Sequence, residues 1–122
     1  MIGLHCKALH CKLIMRFRRE LLKGNLATLI LWVLRDQPQY ANQIRRTLER
    51  RSAGAFSIPE GSIYPILHRL ERKGLIVSEH KEETGAVVRV YRLTPGGEKE
   101  LQYCLREWRM FSRAMDVALS GD

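Results

Sequence analysis

Between Pro59 and Ile76 the chain reads PEGSIYPILHRLERKGLI, with hydrogen-bond donors on one side and aliphatic residues on the other. Ser62 and Tyr64 carry hydroxyls, His68 and Arg69 follow one turn later, and Arg72 and Lys73 close the run. Hydroxyls and free main-chain N–H groups at a helix start suit an anion, and an arginine fork can bind the edge of guanine through two hydrogen bonds. The chemistry on offer is recognition of a polyanion. Arg72 and Lys73 would meet the flanking backbone. Glu60 runs against this reading unless it caps the helix or accepts from cytosine. No catalytic constellation competes. Glu79, Glu82 and Glu83 cluster at a hairpin tip where a solvated loop is expected, and Gly96-Gly97 lacks the following Lys-Ser/Thr of a nucleotide-binding loop. Neither an enzyme activity nor a cofactor is expected.

Bulk properties agree with a polyanion partner. The 122 residues suffice for one compact domain, and 45% hydrophobic against 28% charged is the balance of a folded, soluble chain. The net charge is +8. Residues 1–24 hold six Lys/Arg against one acid and residues 39–51 hold four against one, whereas residues 95–122 are slightly acidic. The bland alternative is that these cations only solubilise helical surfaces. The longest apolar run, Leu29 to Leu34, is far short of the ~20 residues that span a bilayer. Three cysteines without a disulfide framework and no apolar leader point to a reducing compartment, so a cytoplasmic protein without membrane contact is expected.

The elements that must position these donors follow from periodicity. Leu26, Leu29, Ile30, Val33 and Leu34 give a helix over Asn25 to Arg35, with Gly24-Asn25 as its start. A second helix fits Ala41 to Arg51, with Ile44 and Leu48 inward and Arg45, Arg46, Arg50 and Arg51 outward. The third carries Ile63, Ile66, Leu67 and Leu70 on its inner face, stops at Gly74, and starts at either Pro59 or Ser62. If it starts at Pro59, Pro65 lies mid-helix. Leu75–His80 and Val87–Leu93 then read as strands around the polar tip 81–86. Such a hairpin needs to pack on the helices, through Ile76, Tyr91 and Leu93. Thr94 and Pro95 open a long helix with Leu101, Cys104, Leu105, Trp108, Phe111, Met115, Ala118 and Leu119 on one stripe. The expected fold is mainly α with a two-stranded β-wing: a winged helix-turn-helix followed by a long C-terminal dimerisation helix. The expected division is an extension over 1–16, the DNA-binding domain over 17–94, the dimerisation helix over 95–119 and a tail over 120–122.

At this point the residues resemble a known family. GSIYPILHRLERKGLI followed by RVYRLTPGGEKEL, with LLKGNLATLILWVL and YANQI upstream, is similar to the PadR-like transcriptional regulators, over about residues 17–119. That resemblance implies a homodimeric winged-helix repressor that binds a palindromic operator in double-stranded DNA and is released by a small, often aromatic, effector. By position it implies Tyr64, Pro65, His68 and Arg69 on the recognition helix and Tyr40 and Asn42 near phosphates. It also implies a wing contact from Thr84 and Gly85 to Arg89. The single C-terminal helix resembles the short subgroup. Tyr40-Ala41-Asn42 stands where members often have Tyr-Gly-Tyr, His68 where many have Lys, and about the first fifteen residues have no counterpart.

Those extra residues include HCKALHC. His5, Cys6, His10 and Cys11 are metal-ligand types, but adjacent His-Cys pairs diverge and no Cys-x2-Cys or His-x3-His spacing is present, so no metal is expected. Trp108 has two readings: packing at a dimer interface, or, by the resemblance, one of a pair stacking on a flat aromatic effector. Cys104 reads as a small buried hydrophobe. The function expected is sequence-specific DNA binding in transcription regulation. The alternatives are a winged-helix protein-interaction module and a metal-responsive regulator using the N-terminal His/Cys cluster.

Overall fold

A computed structural model describes residues 19–121. Helix α1 (Arg19–Asp36) is followed by a short strand β1 (Gln39–Tyr40), helix α2 (Ala41–Arg51) and helix α3 (Glu60–Arg72). Strands β2 (Ile76–Glu83) and β3 (Ala86–Leu93) and the long helix α4 (Pro95–Leu119) complete the order. The sheet is antiparallel with strand order β1-β3-β2.

α1 is the central helix and touches α2, α3, α4 and β3. Ile30, Leu31, Val33 and Leu34 are all buried, so its apolar surface wraps more than one face. The expected start at Gly24-Asn25 is corrected. Both residues lie inside the helix, and the Asn25 side-chain amide donates to the Leu21 carbonyl at 2.8 Å instead of capping. An interior glycine costs a helix only about 1 kcal/mol, which the packed face of α1 outweighs.

α2 has the expected limits, with Ala41, Ile44 and Leu48 buried. The Gln43 side chain accepts from the Tyr40 N–H at 3.0 Å at its start. Arg45 was expected to face outward; instead its Nε donates to the Ile58 carbonyl at 2.8 Å and a terminal nitrogen donates to Asn42 Oδ1. That side chain ties the α2–α3 loop to α2.

α3 buries Ile63, Ile66, Leu67 and Leu70. Pro59 is its N-cap residue, which decides between the two expected starts and places Pro65 within the helix. Pro65 cannot donate to the Gly61 carbonyl, and both residues are exposed, so water can serve that carbonyl. The helix ends on Gly74 at φ 75, with Gly74 N–H bonded to Glu71 O and Leu75 N–H to Leu70 O, both at 3.0 Å.

The wing differs from expectation in two ways. Its strands extend through Glu83 and from Ala86, leaving only Thr84 and Gly85 as the turn, at φ 45 and 79. Lys81, Glu82 and Glu83 are therefore strand residues, exposed like most of this distal ladder. The wing is also not purely two-stranded: Gln39 pairs with Tyr91 and Tyr40 with Val90, so the α1–α2 connection forms a third strand. Ile76 and Tyr91 are buried, and Leu93 packs against the core, as expected for a hairpin that needs helices.

α4 begins as expected. Thr94 Oγ1 accepts from the Gly97 N–H at 2.9 Å. Its hydroxyl also lies 2.7 Å from the Gly74 carbonyl and 3.0 Å from that of Leu75, so the α4 start is fastened to the α3–β2 corner.

Candidate nucleic-acid interface

The apolar period of α3 fixes what its other side presents. Ser62, Tyr64, Pro65, His68, Arg69, Arg72 and Lys73 are all exposed, Tyr64 at 48%. This single face brings the seven α3 candidates together. Arg69 also reaches a groove of about 650 Å³ lined by Lys23, Pro59, Ser62 and Pro65, where α1 supplies a second cation. Lys23 is not legible in the sequence as part of this surface, because its place on the same groove as Arg69 depends on tertiary packing.

Tyr40 and Asn42 stand at the start of α2, both half-buried. Asn42 is engaged by Arg45, which leaves it a partner before any ligand arrives. Thr84 and Gly85 form the exposed wing tip, and Arg89 lies nearer the wing base, directly across from His80. Arg89 Nη1 donates to Ser78 Oγ at 3.2 Å. The Tyr91 phenol lies at the junction of wing and α3. Burial pushes its pKa above the ordinary value, Arg89 pulls it down, and Glu71 and Tyr64 push it up.

The α4 stripe divides. Leu101 is buried and Cys104 and Leu105 are half-buried. Beyond them Trp108 (47%), Phe111 (55%), Met115 (44%) and Leu119 (77%) are open within one chain. A second apolar row, Tyr103, Met110 and Val117, is also exposed. Its seven-residue spacing lies in the sequence, hidden by the stronger stripe. Burial pushes the Cys104 thiol pKa up, which favours the neutral thiol over the reactive thiolate.

Between α1, α2, the α2–α3 loop and α4 lies an apolar cavity of about 530 Å³, lined by Leu29, Trp32, Phe56, Leu105 and Trp108 among others. The Arg51 guanidinium sits 4.2 Å from the centre of the Trp32 ring. The residues His5, Cys6, His10 and Cys11 lie outside the described residues. Among the described residues no group of three His, Cys, Asp or Glu side chains could hold a metal ion. No helix among them is long and apolar enough to cross a membrane.

Three helices, an antiparallel wing beside the third helix and a long terminal helix define a winged helix-turn-helix protein. Residues 30–103 match the "Transcriptional regulator PadR-like family". A transcriptional regulator of Mycobacterium tuberculosis is 35% identical over 83 residues, spanning 68% of this chain and 75% of that protein. The solved structure of a transcriptional regulator from Clostridium thermocellum aligns with TM-score 0.77 at 27% identity, over 83% of this chain and 99% of the other. A PadR family regulator from Eggerthella lenta aligns at 0.76 and 27%, over 84% and 88%. The chain belongs to the PadR-like family of transcriptional regulators, which are DNA-binding proteins and not enzymes.

Proposed function

We propose that the protein acts in the cytoplasm as a homodimeric repressor of a palindromic operator and is released by a small aromatic effector. The observation that carries the DNA contact is the exposed face of α3, standing beside the wing. Tyr64, Pro65, His68 and Arg69 would face base edges in the major groove. Ser62, Arg72, Lys73, Tyr40 and Asn42 would meet phosphates, and Thr84, Gly85 and Arg89 would bring the wing to the flanking backbone. Helix α4 would join two copies, so that the two α3 helices address half-sites about one helical turn apart.

Selection of bound duplexes from random DNA is expected to return a palindrome with defined half-site spacing. On that duplex, Tyr64→Ala and Arg69→Ala are each expected to weaken binding, by ~1–3 kcal/mol where a bidentate base contact is lost. Unchanged affinity in both variants would remove the assigned face. Affinity that stays flat between low and moderate salt would favour a protein-interaction module instead, because phosphate contacts release counterions.

The apolar cavity supports the effector part of the proposal. Trp32 and Trp108 both line it, so tryptophan emission reports occupancy. A planar aromatic compound that fills it is expected to quench that emission and to lower DNA affinity over the same concentration range. Quenching without any change in DNA affinity would refute the regulatory role.

A further inference from the structure

We infer that Glu71 and Ser78 are positioning residues for DNA binding, holding the wing's Arg89 in place against α3. The inference rests on the proposed DNA contact and assigns a role to two residues that the exposed face does not include. Glu71 occupies the last turn of α3 and Ser78 the base of β2, both half-buried. The Ser78 hydroxyl donates to Glu71 Oε2 at 2.6 Å and accepts from Arg89 Nη1 at 3.2 Å. On its far side, Arg89 Nη2 lies 3.4 Å from His80 Nε2 of the paired strand. One serine thus links a carboxylate on the recognition helix to a cation on the wing.

The chemistry of the link suits a DNA-binding arginine. A direct carboxylate–guanidinium pair would be a fork-to-fork contact occupying the donors that a phosphate needs. Here the hydroxyl stands between the two groups, and Arg89 forms no ion pair within 4.0 Å among the described residues. Its five N–H donors are not exhausted by Ser78 and His80. Ser78 and His80 nevertheless contact its guanidinium before binding, and a side chain held in that way brings less of the entropy cost of immobilisation to an interface. The junction is shared with the proposed reading face, since Glu71, Arg89 and Tyr64 all act on the Tyr91 phenol.

The test uses the full chain and a labelled duplex of mixed sequence, titrated by fluorescence anisotropy at several salt concentrations. Ser78→Ala removes no charge, yet it is expected to weaken binding about two- to tenfold, the cost of ordering one long side chain. Its salt slope is expected to stay near that of the parent, whereas Arg89→Ala, where about one phosphate contact is lost, is expected to lower it. In an Arg89→Ala background Ser78→Ala is expected to have no further effect. Ser78→Thr, which keeps the hydroxyl, is expected to restore binding, and Glu71→Gln, which keeps an acceptor oxygen, to cost less than Glu71→Ala. Equal melting of all variants separates these effects from unfolding. An undiminished Ser78→Ala effect without Arg89, or no effect of Ser78→Ala or of Arg89→Ala, overturns the inference. Arg69→Ala, titrated in the same way on the palindrome selected from random DNA, separates the two levels. If it weakens binding while Ser78→Ala does not, only the positioning role fails; if neither it nor Tyr64→Ala matters, the DNA contact itself fails.

Discussion

Replacing Gly97 with alanine is expected to be the most damaging conservative change in the wing–α4 corner. A Cβ at that position would fall inside the contact distance of the Leu75 carbonyl oxygen and 2.6 Å from Leu93 Cδ1. The carbonyl is not free to yield, because it accepts from the Thr94 N–H at 3.1 Å and lies 3.0 Å from the Thr94 hydroxyl. Admitting the methyl group means lifting the first turn of α4 off the α3–β2 corner and loosening the Thr94 cap. The expected loss is about 3 kcal/mol or more, at the severe end for overpacking. Gly96 is the internal control. A Cβ there meets its nearest atoms at 3.7 Å, so Gly96→Ala is expected to be neutral or mildly stabilising. Urea melts followed by circular dichroism check the pair, and equal midpoints for the two alanine variants would contradict the steric account.

The contrast between those adjacent glycines shows where sequence reasoning stops. Thr94-Pro95 marks the helix start from local chemistry alone, but the pressure on Gly97 comes from Leu75, twenty-two positions earlier in the chain. The same division runs through the fold. α2 was legible because Ile44 and Leu48 alternate with arginines inside clear breakers. The start of α1 is not legible in the sequence because Gly24-Asn25 looks like a cap, while burial around Ile30 and Leu31 holds the helix through it. β1 left no signal: two residues form a strand only because β3 offers them a partner. The distal wing looks like a loop in the sequence because Lys81, Glu82 and Glu83 carry no apolar alternation, and only the ladder shows them to be strand. For the candidate site, the period of Ile63, Ile66, Leu67 and Leu70 was enough to sort the α3 residues into buried and exposed. The Glu71–Ser78–Arg89 link was not legible, since it needs the strand register and the helix–wing contact together.

Trp108→Asp is expected to split the proposed dimer without unfolding the chain. Trp108 is 47% exposed in one chain, and its ring meets Phe111 at a centroid distance of 6.4 Å along the open stripe. A helix with Trp108, Phe111, Met115 and Leu119 open on one side and Tyr103, Met110 and Val117 open on another has more apolar surface than one chain covers. A second copy is the economical cover: fully burying such side chains contributes ~1.5–3 kcal/mol each. A carboxylate at the centre of that surface would lose water without gaining a partner, at a cost of several kcal/mol to association. Light scattering at micromolar concentration is expected to give twice the 14.2 kDa chain mass for the parent protein and the single-chain mass for the variant. Operator affinity should fall with it, because each separated chain carries one α3 and addresses one half-site. If the parent protein is a monomer, or the variant keeps the parent mass, α4 is not the dimer contact. If the variant is a monomer but binds the operator as the parent does, two half-sites are not read together.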